Sequence, residues 1–197
     1  AKYIFLVNND TKDFSIDYLD EVVKEFERDE TIGLVGTACD DYDDNKRWSG
    51  PAKNKLGVMM ETPTEGFIVK SEVFIKVGLL NERLVRYFED LDLIIRIRKF
   101  GFQTKFIGNV KFLHLGGGTS SNQIFVPNYY RLRNIIMFMR KYNKTNSLIW
   151  KIKTVLAYSE IHYRKTINRF YNKEILKGFG IIFSCILGLI MGFVTLW

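Results

Sequence analysis

Two amides and a carboxylate follow the first apolar run of the chain. Tyr3–Val7 is unbroken apolar sequence, and Asn8, Asn9 and Asp10 come directly after it. Such a run predicts a fully buried strand of the parallel type, and open α/β sheets bind ligands beyond the carboxyl ends of their strands. The oxygen atoms of these side chains could therefore hold a hard divalent cation. The alternative is a simple turn, which Asn and Asp both favour.

A second group of carboxylates, Glu89, Asp90 and Asp92, lies at the start of a predicted helix. Adjacent carboxylates directed at a cleft could supply a general base. Acidic residues also favour helix N-termini, and Asp90 could be an N-cap, so a structural role is the alternative. Asp92 precedes Arg96 by four residues, which predicts an intrahelical ion pair and a structural role for Asp92.

His114 ends a predicted strand and precedes three glycines, residues 116–118. Imidazole is a common metal ligand, and the glycines would allow a closing loop. A buried, hydrogen-bonded histidine is the alternative. The glycines do not form a nucleotide-binding P-loop, because no Gly-Lys-Ser/Thr follows them. The acidic stretch 40–46 lacks the glycine of a calcium loop and is interpreted as solvated.

The elements that must position these residues alternate between strands and helices, which indicates an α/β domain. The irregular stretch 40–66 argues against a regular βαβ array. The predicted strands are Tyr3–Val7, Thr31–Cys39, Phe67–Val69, Thr104–Ile107 and Val110–Leu115, and the predicted helices are Ile16–Arg28 with Ser15 as N-cap, Ser71–Val77, Phe88–Phe100 and Asn128–Lys141.

Charge is unevenly distributed along the chain. Residues 1–127 carry a net charge of −3 and residues 128–197 a net charge of +10. Residues 178–197 contain no charge, and as a helix they would be about 30 Å long, the thickness of a bilayer core. The basic, apolar tail therefore predicts a membrane surface as partner and favours it over nucleic acid. The two distant cysteines indicate a reducing compartment.

The order of these motifs over residues 1–140 resembles that of the family 2 glycosyltransferases, most closely their rhamnosyltransferase-like members. The resemblance implies an α/β domain with the GT-A fold of nucleotide-diphospho-sugar transferases. It places the C-terminal part of that domain at residues 1–145 and a helical, membrane-associated tail at residues 146–197. The half of the family's domain that grips the base and ribose is not recognisable, so we expect the chain to be a C-terminal fragment of the enzyme.

Several motifs can be carried over from the family residue by residue. Asn8, Asn9 and Asp10 resemble its DXD-type motif in an Asn-first form, which implies a divalent metal, Mg²⁺ or Mn²⁺, at Asp10. His114 matches a histidine that often completes metal or diphosphate binding.

The donor sugar and the chemistry are assigned to two further segments. Thr64, Glu65 and Gly66 match the segment that lines the donor sugar. Glu89 and Asp90 match the family's acidic pair, in which the aspartate is the catalytic base.

A fifth motif, Tyr-x-x-Arg-Asn, matches Tyr130, Arg133 and Asn134. Arg133 is included among the predicted substrate-binding residues, although no role for this segment follows from the sequence. The family usually has aspartate where this chain has Asn81, a departure that could weaken the acceptor site.

The resemblance implies an inverting transfer of sugar from a nucleotide-sugar donor to a hydroxyl of a lipid-linked or glycan acceptor. The setting would be cell-surface polysaccharide or glycolipid assembly at the cytoplasmic face of the membrane. The protein would be peripheral there or held by a single C-terminal hydrophobic helix. A non-catalytic, membrane-associated binding module is the alternative from another class.

Overall fold

The computed structural model describes residues 1–41, 47–48, 52–53, 59–60, 65–115, 125–142, 167 and 175–195. They divide into two units, one formed by Ala1–Leu80 with Asp90–Gly118 and the other by Asn81–Glu89 with Thr119–Trp197. The predicted boundary between residues 145 and 146 lies outside the described residues, as does the predicted helical tail before residue 175, apart from residue 167.

A mixed sheet of six strands forms the centre of the first unit. The spatial order is β1-β7-β3-β8-β2, with β4 beside the end of β3. The strands of this sheet are β1 (Tyr3–Val7), β2 (Thr11–Lys12), β3 (Ile32–Asp41), β4 (Arg47–Trp48), β7 (Gly66–Lys70) and β8 (Gln103–His114), and a separate antiparallel pair consists of β5 (Ala52–Lys53) and β6 (Met59–Met60).

Three strands of this sheet end at the same edge. β7 is antiparallel to both β1 and β3, and β3 is parallel to β8, so β1, β3 and β8 run in one direction. Their last residues, Val7, Asp41 and His114, therefore lie at one edge of the sheet.

Strand β1 has the predicted bounds but not the predicted surroundings. Among the described strands it pairs only with β7, and this pairing is antiparallel. Its residues are half-buried and Val7 is 43% exposed, because β1 is the outermost described strand on its side of the sheet. The expectation of a fully buried strand of the parallel type is wrong.

Helix α1 (Tyr18–Arg28) covers one face of the sheet. It buries Tyr18, Val22 and Phe26, which are spaced by four residues and share one face of the helix. The predicted start at Ile16 and the predicted Ser15 cap are wrong. Ile16 is 98% exposed since it precedes the helix, and the Ser15 hydroxyl instead bonds the backbone of strand β8.

Helices α2 (Ser71–Lys76) and α3 (Glu89–Lys99) supply side chains to the other face of the sheet. At Gly33 an added Cβ would lie 3.0 Å from Val73 Cγ1 and 3.3 Å from Ile97 Cγ2, so the glycine allows close packing of both helices. Gly78 and Gly101 follow these helices with φ of 81° and 88°, the left-handed conformation in which glycine commonly ends a helix.

The predicted ion pair on α3 is confirmed. Arg96 Nε donates to Asp92 Oδ2 at 2.8 Å, and Asp92 is fully buried. The same guanidinium also donates to the carbonyls of Val77, Gly78 and Leu79. Asp92 therefore helps to attach α3 to the end of α2.

The two strands predicted at 104–107 and 110–115 are one long strand, β8. Its parallel register with β3 shifts between Thr37, which faces Ile107, and Ala38, which faces Lys111. Gly108 and Asn109 lie in this irregularity, and their low strand propensity is the reason for the predicted break.

In the second unit, helix α4 (Phe125–Tyr142) packs along helix α5 (Ile175–Val194). An added Cβ at Gly188 would collide with the carbonyl of Tyr129, and one at Gly192 would lie 2.7 Å from the carbonyl of Arg133. Contacts thus advance in the same direction along both helices, which are parallel. Arg140 Nη1 completes the packing by donating to Phe193 O at 2.7 Å.

Large apolar side chains lie on the outer face of α5, opposite its small residues. The helix is long and apolar enough to cross a membrane, by length and composition alone. Its buried residues are Gly178, Ile181, Ser184, Gly188 and Gly192, and its exposed ones include Leu176, Phe179, Phe183, Ile186, Ile190 and Phe193.

Candidate functional site

Asp10 is held at the edge where β1, β3 and β8 end. The chain leaves β1, turns through Asn9 and Asp10, and returns as β2, which pairs with the last residues of β8. Thr11 Oγ1 donates to Asn8 O at 2.8 Å, and Leu115 N donates to Asp10 O at 2.8 Å. The predicted turn is therefore present, and it fixes the backbone of Asp10 against β8.

The turn brings Asp10 to His114, which ends β8. Asp10 Oδ1 lies 3.3 Å from His114 Nε2, and both side chains are mostly buried. Two ligands bound at about 2.1 Å to one octahedral ion lie roughly 3 Å apart. The pair therefore has the chemistry and the spacing of two neighbouring ligands of a divalent cation.

Further ligands of such a cation would have to come from elsewhere. Among the described residues no group of three or more His, Cys, Asp or Glu side chains could hold a metal ion. Mg²⁺ is commonly bound by one or two protein carboxylates together with water and substrate phosphates. A two-residue site on the protein therefore fits a metal that binds together with a phosphorylated substrate.

Glu65 and Gly66 lie next to the same turn. Asn8 N donates to Glu65 O at 2.9 Å, and Val7 faces Gly66 in the ladder between β1 and β7. An added Cβ at Gly66 would lie 3.1 Å from the ring of Phe112, so this glycine also serves packing. Asn8 and Asn9 are exposed at the turn, and Thr64 lies outside the described residues.

In the second unit, an unusual backbone precedes Glu89. Tyr87 and Phe88 have φ of 68° and 74°, the left-handed region that residues other than glycine rarely adopt. Each such residue costs about 1–3 kcal/mol and persists only where its surroundings hold it. The backbone that leads into Glu89 is therefore held under strain.

Two consecutive residues of α4 hold this strained segment. Asn134 is fully buried, and its Nδ2 donates to Arg86 O at 2.6 Å and to Tyr87 O at 3.1 Å. Arg133 Nη1 donates to Arg83 O at 2.9 Å and to Asn134 Oδ1 at 2.7 Å. Arg133 therefore contacts protein groups here, and its expected contact with the substrate stays a prediction.

Aromatic contacts reinforce these hydrogen bonds. The Arg131 guanidinium lies over the Tyr87 ring at 4.5 Å from its centroid, and the rings of Phe88 and Phe138 are 5.7 Å apart. About two turns of one helix thus contact residues 83–88 through side chains of different chemistry.

The Glu89 carboxyl lies in a poorly solvated position. Burial raises its pKa, and a backbone hydrogen bond and the charge of Arg86 only partly oppose this effect. Oxygen Oε2 is buried without a hydrogen-bond partner among the described residues. Asp90, the next residue in the chain, is half-buried.

The predicted site residues thus fall into two groups. The first unit brings together the end of β1, the Glu65–Gly66 segment and His114. In the second unit, Arg133 bonds the carbonyl of Arg83, in the segment that leads to Glu89. Sequence reasoning missed the function of Asn134 and the backbone of Tyr87 and Phe88. The Tyr-x-x-Arg-Asn motif marked the helix, but non-glycine residues with positive φ leave no sequence signal.

Comparison with known proteins finds a similar fold among solved structures but no similar sequence. No family model and no curated protein sequence matches the chain. Its structure is similar to that of a mannosyltransferase from Pyrobaculum calidifontis in complex with GDP-Man and Mn²⁺, with a TM-score of 0.51 and 11% sequence identity. The similarity covers 95% of this chain and 62% of that one. The likeness shows that the two proteins share a fold, and the chain spans about 62% of the mannosyltransferase's length.

Proposed function

We propose that the chain is part of a family 2 glycosyltransferase with the GT-A fold, similar to the rhamnosyltransferases. It would transfer a sugar from a nucleoside diphosphate sugar to a hydroxyl of a lipid-linked or glycan acceptor in cell-surface polysaccharide or glycolipid assembly. One observation carries the proposal: the pair of Asp10 and His114 lies 3.3 Å apart where three strands of a glycosyltransferase fold end.

The donor would bind at the turn that follows β1. Asp10 and His114 would hold Mg²⁺ or Mn²⁺, and the exposed amides of Asn8 and Asn9 can donate to phosphate or sugar oxygens. When bound, the ion would supply charge neutralisation for the leaving diphosphate. The hydrogen bond from Asn8 N to the carbonyl of Glu65 fixes the turn to the segment proposed to line the sugar.

The acceptor would be activated by a carboxylate. A hydroxyl is a poor nucleophile until a base takes its proton, and Asp90 is proposed as that base. The acceptor oxygen bonds to the anomeric carbon, the bond from that carbon to the diphosphate oxygen breaks, and the proton passes to Asp90. One displacement of this kind inverts the anomeric centre.

Calorimetry of the full-length protein with nucleoside diphosphates, with and without Mn²⁺, tests the donor site. Asp10→Ala should weaken metal-dependent binding by about tenfold or more, because it removes the carboxylate ligand. The matched control is Asp13→Ala, which removes an exposed carboxylate three residues later. Equal metal-dependent binding by both variants would contradict the metal assignment. Absence of nucleotide binding and of sugar transfer in the unmodified protein would favour the non-catalytic membrane module.

The tail is proposed to hold the protein at the cytoplasmic face of a membrane, with α5 lying in the interface. The basic residues of 128–177 can attract anionic headgroups at about 1 kcal/mol for each one that reaches the surface. The outer face of α5 offers large apolar side chains to the acyl region.

Packing of α5 on α4 disfavours a membrane-spanning arrangement. Arg133 lies beside Gly192 and Arg140 bonds the C-terminal carbonyls of α5, so a spanning α5 would bring an arginine-bearing helix to membrane depth. An arginine at the bilayer centre costs about 2.5–3.5 kcal/mol or more. An in-plane α5 avoids this cost while still covering its apolar face.

A further inference from the structure

Residues 83–88 form a segment that its own sequence does not favour. Tyr87 and Phe88 both have left-handed φ, and neither residue type adopts this region readily. A β-branched, aromatic or otherwise bulky residue with positive φ requires support from outside the segment. The support must therefore come from the side chains that contact it, and α4 provides them.

We propose that Asn134, assisted by Arg133, is a positioning residue that holds the carbonyls of Arg86 and Tyr87 and thereby sets the direction of the Glu89-Asp90 carboxylates. The inference rests on the proposed function, because it takes these carboxylates to be the reacting pair. It assigns a role to the Tyr-x-x-Arg-Asn segment that the sequence left without one.

The geometry of Asn134 suits a clamp better than a substrate contact. Its two bonds go to consecutive carbonyls, those of Arg86 and Tyr87, directly before the two left-handed residues. Its Oδ1 accepts from Arg133, which fixes the amide so that Nδ2 faces the segment. The side chain is fully buried, and both its oxygen and its nitrogen bond protein groups.

Release of this clamp would change the chemistry through Glu89. The carboxyl of Glu89 follows Phe88 directly, and its buried Oε2 depends on the path of the preceding backbone. A displacement of about 1 Å in a reacting group can cost about 10²-fold in rate. A positioning role therefore predicts a loss in kcat with little change in donor binding.

The test uses Asn134→Asp in the full-length enzyme, a change that keeps the size of the side chain and the acceptor for Arg133 but removes the donor. We expect kcat to fall by about 10²-fold while the KM for the donor changes by less than about threefold. Asn134→Ser, smaller and uncharged, is the second variant should a buried carboxylate prevent folding.

An activity-independent readout follows the backbone itself. Trypsin cleaves after Arg86, whose carbonyl accepts from Asn134, so release of the segment should speed cleavage of the Arg86–Tyr87 bond by about tenfold or more, as seen by mass spectrometry. The matched control is Leu132→Ala, which removes a fully buried apolar side chain from the same helix. It should lower stability without selective cleavage at Arg86 and without a selective fall in kcat.

Each outcome decides the proposal. Unchanged protection of the Arg86–Tyr87 bond in both Asn134 variants would overturn the clamp. Faster cleavage with an unchanged kcat would overturn the positioning role. Equal losses of kcat and of protection in the Asn134 and Leu132 variants would also overturn it, because they would show an effect of general stability. If the unmodified enzyme transfers no sugar, the proposed function and the positioning role both fail, and cleavage still decides the clamp.

Discussion

At the scale of single residues, Glu89 combines an acidic side chain with a site that disfavours its charge. Burial raises the pKa of its carboxyl above the ordinary value of 4.5. The folded protein therefore binds a proton more tightly at this position than the unfolded chain does. Folding is favoured by Glu89 in its protonated form, so the contribution is present at low pH and is lost as pH rises from 4.5 through the raised pKa.

A pH series of urea unfolding measures this effect. Glu89→Gln, which keeps the shape but never ionises, should be more stable than the unmodified protein at pH 7 and close to it at pH 4. Glu82→Gln changes an exposed residue and serves as control. Its stability relative to the unmodified protein should be the same at pH 4 and pH 7. A lower stability of Glu89→Gln at pH 7 would mean that the carboxylate is stabilised by partners and that its burial does not dominate.

At the scale of elements, helix α3 carries two aspartates whose roles we predict to differ. Asp92 is buried against Arg96, which also binds the carbonyls that end α2, whereas Asp90 is half-buried at the first turn. Removing one partner of a buried ion pair costs about 3–5 kcal/mol, because the other charge is left uncompensated. Loss of a general base instead costs about 10²–10⁴-fold in rate with the fold intact.

Paired measurements on two isosteric variants separate these roles. Asp92→Asn should lower the free energy of unfolding by about 3 kcal/mol and leave the folded fraction active. Asp90→Asn should retain donor binding and stability but lose turnover by about 10²-fold or more. A well-folded Asp92→Asn enzyme without turnover, next to an active Asp90→Asn enzyme, would reverse the assignment.

The local sequence predicted the helices and strands well, but it predicted poorly which strands pair with each other. The bounds of β1 and the pair of Asp92 and Arg96 depend on residues close in the chain, and the structure confirms them. The antiparallel partner of β1 depends on β7, about 60 residues later, which no local pattern encodes.

In the candidate site too, single residues could be predicted from the sequence, whereas contacts between distant parts of the chain could not. Asp10 and His114 could be singled out as possible ligands from their positions at strand ends, but their approach to 3.3 Å follows from the pairing of β2 with β8. Likewise, Tyr87 and Phe88 are ordinary aromatic residues in the sequence. The side chain that bonds the carbonyl of Tyr87 belongs to Asn134, which lies 46 residues beyond Phe88 in the chain.

At the scale of the whole molecule, the arrangement of small and large residues on α5 underlies the proposed membrane association. Gly188 and Gly192 lie against α4, while large aromatic and aliphatic side chains of the same helix are exposed, so α5 has a small-residue side and a large apolar side. Large exposed apolar patches mark interaction sites, and the excess of basic residues in 128–177 of the sequence is the reason for proposing an anionic lipid surface as the partner.

The last prediction distinguishes a helix that lies in the interface from one that crosses the bilayer. Lys177→Cys and Thr195→Cys place a thiol near each end of α5, in a Cys39→Ala, Cys185→Ser background, and vesicles with the protein on their outer surface receive a membrane-impermeant maleimide. An in-plane helix leaves both thiols on the same side, so both variants should be labelled without lysis. Labelling of position 177 alone, with position 195 reached only after lysis, would show that α5 spans the membrane and that its packing on α4 must open to allow it.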